Sequence, residues 1–233
     1  SIAAKIREVL ESPDLLRSLA AHAPQQAARF AWPAVAARAW TALEHAHARL
    51  RHAPPVQVHR ASLAVVAPMP PQPSGIADYT AELLPELARH YAVTVVADIP
   101  ATSAEHVAAN LPLISPEIFQ AHAAAFDRVL YQVGNSQYHA TALDTLLPAI
   151  PGAVTLHDAF LSGVRNWSAQ HAGTPAAFLA DLHRCHGWPA LALATREGLE
   201  AAIRAYHCSQ DVLRQATGLI LHSTHAATLL ADH

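Results

Sequence analysis

The stretch SLAVVAPMPPQPSGIADYTAELLPELARH, residues 62–90, decides the fold of this chain. Its first apolar run, residues 63–67, predicts a strand that is buried on both faces. The prolines that follow end this strand, because proline has no N–H for the hydrogen bonds of a sheet. Ser74 and Gly75 then open a helix, in which Ser74 suits the N-cap and Asp78 suits the positive end of the helix dipole.

Apolar side chains recur in this helix at the 3.6-residue period and predict its buried face. They are Ile76, Tyr79, Leu83, Leu84, Leu87 and Tyr91. A strand, a glycine turn and a helix N-terminus in succession are typical of an anion site, because free N–H groups point outward and no Cβ blocks close approach. The same pattern is also typical of a plain tight turn at Gly75, so the residues alone leave both interpretations open.

Further apolar runs, separated by helical patterns, predict the rest of the sheet. The strands are expected at 93–97, 129–133, 153–156 and 219–221, and the helices at 76–90, parts of 104–125, 138–148, several places in 159–216, and 224–232. Strands that alternate with helices indicate a parallel, doubly wound sheet with right-handed crossovers. We therefore predict an α/β fold, with a Rossmann-like parallel sheet that carries helices on both faces.

Polar residues and glycines are concentrated where the predicted strands end. They are Ser74 and Gly75, Asp98, Gly134 and Asn135, His157 and Asp158, and His222 and Ser223. In open α/β sheets, ligands bind outside the carboxyl ends of the strands. The sequence therefore predicts a binding site at this edge of the sheet.

His157 is the strongest candidate for chemistry, because it ends a buried strand and a neutral imidazole can donate or accept a hydrogen bond near neutral pH. The alternative is a histidine with a purely structural hydrogen bond. Asp158 either orients His157 or caps a helix that starts at Ala159. Asn135 and His139 either meet a substrate or belong to an ordinary turn. His222 and Ser223 are either site residues or a strand end and an N-cap.

The first 52 residues are helical in pattern. Residues 2–23 carry an apolar stripe, and Ser12 followed by Pro13 marks a helix start. Pro24 is expected to break or restart the run. Another helix is predicted around residues 30–50, and the prolines within 53–61 indicate a linker.

Composition narrows the class of protein. The chain is 52% hydrophobic and 14% charged, with a formal net charge of −3, which is typical of a globular chain. No run of lysine and arginine indicates nucleic-acid binding. Two cysteines are too few for a disulfide framework and favour a reduced, cytoplasmic setting. No apolar run reaches the roughly 18 residues of a membrane span, and the N-terminus has no signal-peptide pattern.

A metal site is not expected. His183, Cys185 and His186 lie close together in the sequence. Zinc sites usually need four ligands at defined spacing, however, and no second cluster stands nearby. We therefore predict no metal.

Four motifs in order resemble the N-terminal, acceptor-side domain of glycosyltransferase family 4, also called group 1, whose members have the two-domain GT-B fold. They are VAPMPP with SGIADY (residues 66–71 and 74–79), GNSQYH (134–139), LHDAFLSG (156–163) and LHS (221–223). The first 52 residues resemble the last helices of such an enzyme, through VLESPDL (9–15) and FAWPAVA (30–36).

The resemblance implies a domain organisation. Residues 1–52 correspond to the tail of a preceding transferase module, residues 53–61 to a linker, and residues 62–233 to the N-terminal domain of a second module. The C-terminal domain of that second module, with the donor-nucleotide site, is expected to follow His233.

The resemblance also implies an activity. A retaining transferase would move a hexose from a nucleoside-diphosphate sugar to a hydroxyl of a surface glycan or lipid-linked acceptor, without a further cofactor, in the cytoplasm and in contact with the inner face of the membrane. His157 matches the family histidine near the transferred sugar. The expected contacts to substrate or phosphate are Ser74, Gly75, Asn135, His139, Asp158, His222 and Ser223.

A second hypothesis comes from another class. A Rossmann-like domain of this kind can also recognise a glycan or a protein partner without turnover. The gene sequence beyond His233 separates the two, since a second such domain with a Glu-x7-Glu pattern supports the enzyme and a stop codon supports the binding module.

Overall fold

The computed structural model describes residues 2–29, 31–52 and 60–231. These residues form two units, the first from the N-terminal 58 residues and the second from residue 59 onward. The first unit is helical and the second contains the sheet. Only residues 60 and 61 of the expected linker are among the described residues.

The first unit consists of helices α1 Ile2–Glu11, α2 Pro13–Arg29 and α3 Trp32–His52. Helix α2 begins as predicted, because Ser12 Oγ accepts a hydrogen bond from the Leu15 N–H (3.4 Å). The predicted break at Pro24 is wrong, and Pro24 lies inside α2. A proline removes a single main-chain donor, and the turns on either side of it continue this 17-residue helix. Phe30, expected in the next helix, lies outside the described residues.

Six parallel strands form the sheet of the second unit. In chain order they are β1 Ser62–Val66, β2 Ala92–Val96, β3 Leu113–Ile114, β4 Arg128–Val133, β5 Ala153–Leu156 and β6 Gly218–Leu221. Their order across the sheet is β3-β2-β1-β4-β5-β6, so the chain winds outward from β1 in both directions. This order confirms the predicted α/β fold with a Rossmann-like parallel sheet.

Strand β3 is the element of the sheet that the sequence analysis does not predict. Its two residues, Leu113 and Ile114, pair with Val95 and Val96 at the edge of the sheet. A run of two residues is too short to show a period, so the sequence carries no signal for it.

Helices fill the stretches between the strands. They are α4 Gly75–Leu87, α5 Glu105–Asn110, α6 Pro116–His122, α7 Leu147–Ala149, α8 Ser162–His171, α9 Pro175–His186, α10 Trp188–Glu197, α11 Leu199–Ala205, α12 Gln210–Gln215 and α13 Thr224–Leu230. A 3-10 turn at Gln137–His139 and a π-helical turn at Ala142–Leu146 precede α7. None of the helices in the described ranges has the length and hydropathy that a bilayer crossing demands.

Alternate residues of β1 face two separate apolar clusters, so helices cover both faces of the sheet. Ala64 and Val66 belong to the cluster that contains Phe119 of α6. Leu63 and Val65 belong to the cluster that contains Leu84 of α4. Burial on both faces explains why this strand is apolar at every position from Leu63 to Val66.

The segment that connects β5 to β6 contains five helices, α8 to α12. They enclose an apolar cluster of their own, made of Ala169, Phe178, Leu182, Cys185, Ala190, Ala202 and Cys208. These helices therefore stabilise one another in addition to packing on the rest of the unit.

Candidate functional site

His157 directly follows β5, and two hydrogen bonds fix its position. Its main-chain N–H donates to the Val133 carbonyl (2.8 Å), which continues the pairing of β4 with β5. Its ring Nε2 lies 2.7 Å from Oε1 of Gln132, a residue of β4 with no exposed surface. Backbone and ring are therefore both held at the carboxyl edge of the sheet.

Three aromatic rings meet at this edge: Tyr79 of α4, His157, and His222 after β6. The ring centroid of His157 lies 4.9 Å from that of Tyr79 and 4.7 Å from that of His222. The rings of Tyr79 and His222 are 5.6 Å apart and lie edge to face. We call Tyr79, His157 and His222 the aromatic cluster. The cluster brings together three separate chain segments, as a common carboxyl edge of parallel strands requires.

The prediction that Tyr79 lies on the buried face of α4 is wrong. Tyr79 is 39% exposed, whereas Leu84, from the same predicted stripe, is fully buried. The other residues that α4 buries are small: Ala77, Thr80 and Ala81. Small side chains let α4 approach the sheet closely, and the larger Tyr79 lies at its flank, where it reaches the two imidazoles.

The surroundings of His157 favour the neutral imidazole. Burial lowers the pKa of His157, and His222 lowers it further, because two imidazolium rings would repel each other. The Asp158 carboxylate raises the pKa by a smaller amount. A neutral imidazole offers one N–H donor and one nitrogen acceptor, so His157 can hold a hydroxyl group at neutral pH.

Asp158 joins two loops of the site. Its Oδ2 accepts a hydrogen bond from the main-chain N–H of Asn135 (3.0 Å). Gln132, and not Asp158, bonds to the His157 ring, and the next helix begins after Ala159 without a side-chain cap. The two structural roles expected for Asp158, to orient His157 or to cap a helix at Ala159, are therefore wrong. A contact of Asp158 with substrate stays a prediction.

Asn135 connects the loop after β4 to α8. Its Oδ1 accepts a hydrogen bond from the Val164 N–H (2.9 Å) in the first turn of that helix. A Cβ at Gly163 would lie 2.8 Å from the same oxygen, so glycine makes room for the amide. The side chain of Asn135 is thus engaged in the fold, and its contact with substrate stays a prediction.

His139 lies beneath this loop, with 1% of its surface exposed. Its Nδ1–H donates to the main-chain carbonyl of Gln132 (3.1 Å). Burial lowers the pKa of His139 to about 4, although the bond to Gln132 acts in the opposite direction. The buried neutral ring therefore supports the loop from inside, and a contact of His139 with substrate stays a prediction.

Ser74 and Gly75 form the N-terminus of α4. Ser74 is the N-cap, as predicted, because its Oγ accepts from the Ile76 N–H (3.3 Å). Within the described residues the Gly75 N–H has no hydrogen-bond partner, and a Cβ at Gly75 would meet nothing within 4 Å. Gly75 does not have a positive φ, so the turn does not require glycine there. The backbone conformation of a tight turn therefore does not explain why residue 75 is a glycine.

The two residues after β6 differ in role. Ser223 is the N-cap of α13, since its Oγ accepts from the Ala226 N–H (3.1 Å). His222 is exposed and belongs to the aromatic cluster. His222 therefore faces the candidate site, while Ser223 has the structural role that the sequence leaves open.

Sequence reasoning misses Gln132 as a site residue. Gln132 is the single amide in the strand RVLYQV and has no exposed surface. A polar side chain inside a buried strand needs hydrogen-bond partners, so its presence there was the available signal. Here the partner is His157.

The described residues contain no group of three or more His, Cys, Asp or Glu side chains placed to hold a metal ion. The ring of His183 packs edge-on against Trp188, with centroids 4.8 Å apart. His186 Nε2 accepts a hydrogen bond from the Cys208 N–H (3.1 Å). Packing and hydrogen bonding account for these two rings.

Comparison of the chain with protein-family models, curated proteins and solved structures finds no match in any of the three. The geometry of the site and the motifs that carry it are therefore the basis for a functional proposal.

Proposed function

We propose that this chain is part of a retaining glycosyltransferase that moves a hexose from a nucleoside-diphosphate sugar to a hydroxyl of a surface glycan or lipid-linked acceptor. One observation carries the proposal. The other three motifs meet at the motif that contains His157 and Asp158: Tyr79 and His222 contact the His157 ring, and the Asn135 N–H bonds to Asp158. Such convergence at the carboxyl edge is typical of a ligand site in a doubly wound sheet.

His157 would hold the reacting groups in attack geometry. Its ring is partly buried, neutral and fixed by Gln132, which are the properties of a preorganised hydrogen-bonding group. In this class of reaction the protein contributes chiefly by positioning its substrates and by stabilising the departing diphosphate. Tyr79 and His222 would form the walls of the sugar subsite beside it.

The N-terminus of α4 would stabilise the diphosphate. The Gly75 N–H has no partner among the described residues, and the space in front of it is open. The positive end of the helix dipole favours an anion at this position. These features support a phosphate contact from the main chain, for which a side chain at residue 75 would be an obstacle.

A second domain would hold the donor nucleotide, with paired glutamates, and the enzyme would work in the cytoplasm at the inner face of the membrane. We therefore expect residues 1–233 alone to turn over no nucleoside-diphosphate hexose, because a GT-B site needs both domains around the donor. A turnover number for this chain that equals that of the complete gene product would contradict the two-domain proposal.

The proposal is tested with the complete gene product and a panel of nucleoside-diphosphate hexoses. We expect one donor to be consumed in the presence of a lipid-linked or glycan acceptor, and NMR of the product should show the anomeric configuration of the donor. An inverted product would contradict the retaining mechanism. Binding of a glycan without consumption of any donor would instead support the binding module.

A further inference from the structure

We infer that Gln132 is a positioning residue, which holds His157 in the tautomer that carries its proton on Nε2 and leaves Nδ1 as a hydrogen-bond acceptor. The tautomer is a property of this chain alone. Its consequence for turnover rests on the proposed function.

The chemistry of the contact sets the tautomer. Gln132 Oε1 lies 2.7 Å from His157 Nε2, and an amide oxygen can only accept. The nitrogen that faces it must therefore carry a proton. Burial and His222 both lower the pKa of His157, so the ring carries one proton at neutral pH, and that proton is the one on Nε2. Nδ1 makes no hydrogen bond within the described part of the chain.

The position of Gln132 is itself well defined. It lies in β4, opposite Thr155 of β5, and its main-chain carbonyl accepts from His139 Nδ1. The side chain is fully buried, so water does not compete for Oε1. The side-chain Nε2 of Gln132 makes no hydrogen bond within the described residues, so the contact of Oε1 with His157 is what holds the amide in place.

The groups around His157 do not offer a competing partner for Nε2. His222 and Tyr79 contact the ring through their own rings, at 4.7 Å and 4.9 Å between centroids. The Asp158 carboxylate is bonded to the main chain of Asn135. Gln132 is therefore the residue that decides which ring nitrogen is protonated.

An acceptor nitrogen suits the proposed reaction. A hydroxyl of a bound sugar can donate to Nδ1 of His157 and is then held in one orientation. With the other tautomer, Nδ1 would be a donor and could not accept that proton. Gln132 would thus act through His157 and would not touch the substrate.

The test is long-range ¹H–¹⁵N NMR of residues 1–233 with ¹⁵N-labelled histidine, with His157→Asn used to assign the His157 signals. In the wild-type chain at pH 7 we expect a protonated Nε2 and an unprotonated Nδ1. A protonated Nδ1 would overturn the inference, and this spectrum needs no variant of Gln132.

Two substitutions sharpen the test. In Gln132→Leu, which cannot accept, the His157 ring should shift to a mixture of tautomers. In Gln132→Glu, a carboxylate should keep the proton on Nε2 and raise the pKa of His157 in an NMR titration, because it favours the charged ring. An unchanged tautomer in Gln132→Leu, or an unchanged pKa in Gln132→Glu, would contradict the positioning role.

Turnover separates this inference from the proposed function. In the complete gene product, Gln132→Leu should lower kcat about 10–100-fold with little change in KM, by analogy with the loss of partners that orient metal-binding histidines. If the wild-type protein transfers no sugar while NMR shows the Nε2–H tautomer, the proposed function fails and the tautomer assignment stands. If turnover is normal in Gln132→Leu, the positioning role in catalysis is contradicted.

Discussion

The loops after β1 and β4 end at the same edge of the sheet, yet they differ in how they are packed. At Gly75, at the end of the first loop, an added Cβ would meet nothing within 4 Å. At Gly134, in the second loop, an added Cβ would overlap Ile76 Cδ1 and lie 3.2 Å from His139 Nε2. One glycine faces open space and the other is enclosed by side chains.

This difference indicates that the two loops have different roles, one in stability and the other in ligand binding. The packed loop at Gly134 fixes the geometry of the site, because His139 and Asp158 both lie against it. The open loop at Gly75 leaves room for a ligand beside the Gly75 N–H, which has no partner among the described residues. We therefore expect changes at the packed loop to alter stability, and changes at the open loop to alter function.

Acid should weaken the packed loop through His139. Its folded pKa is about 4 and its ordinary value is 6.5, so between these values the unfolded chain binds a proton that the folded chain does not. The free energy of unfolding is therefore highest above pH 6.5, where both states carry a neutral His139 ring. It should fall by about 3 kcal/mol in all as the pH drops from 6.5 to about 4.

Urea unfolding of residues 1–233 at several pH values measures this effect. The pH dependence should be steeper in the wild-type chain than in His139→Gln, which has no titratable group at position 139. Equal slopes for the two chains between pH 6.5 and 4 would show that His139 is not buried in its neutral form.

A methyl group at Gly134 should be the next largest perturbation. In Gly134→Ala the flexible end of Ile76 can move aside, but the new Cβ would also lie 3.2 Å from both His139 Nε2 and Asp158 Oδ2. Overpacking of this kind typically costs about 1–3 kcal/mol. The free energy of unfolding measures it. Gly218→Ala is the matched control, since a Cβ there meets nothing within 4 Å and the backbone has no positive φ. Equal stabilities of the two variants would refute the close packing at Gly134.

The same change at Gly75 should have the smallest effect on stability. Gly75→Ala should change the free energy of unfolding by less than about 0.5 kcal/mol, because the site is open and its φ is ordinary. Gly75→Val should also fold, but should abolish sugar transfer in the complete gene product, because the side chain stands between the main chain and the phosphate. A folded Gly75→Val enzyme with full activity would end the phosphate interpretation.

Local patterns predict the packed framework well. The apolar run at residues 63–67 and the Ser74 N-cap come from interactions between near neighbours, and both are read from a few residues. The exposure of Tyr79 and the hydrogen bond of Gln132, in contrast, depend on which elements lie opposite these residues in the fold. A helical period does not tell whether a tyrosine faces a core or a crevice, and the partner of Gln132 lies 25 residues away along the chain. The burial of His139 likewise follows from the tertiary fold.

The most direct test of the site at the carboxyl edge is the kinetics of His157→Ala beside His90→Ala in the complete gene product. His90 is an exposed histidine that follows the far end of α4, at the opposite edge of the sheet. We predict that His157→Ala lowers kcat per folded molecule about 10²–10³-fold, as expected for loss of one preorganised contact, whereas His90→Ala retains wild-type kcat. A lowered Tm with normal kcat per folded molecule in His157→Ala would contradict the account and make His157 a structural residue.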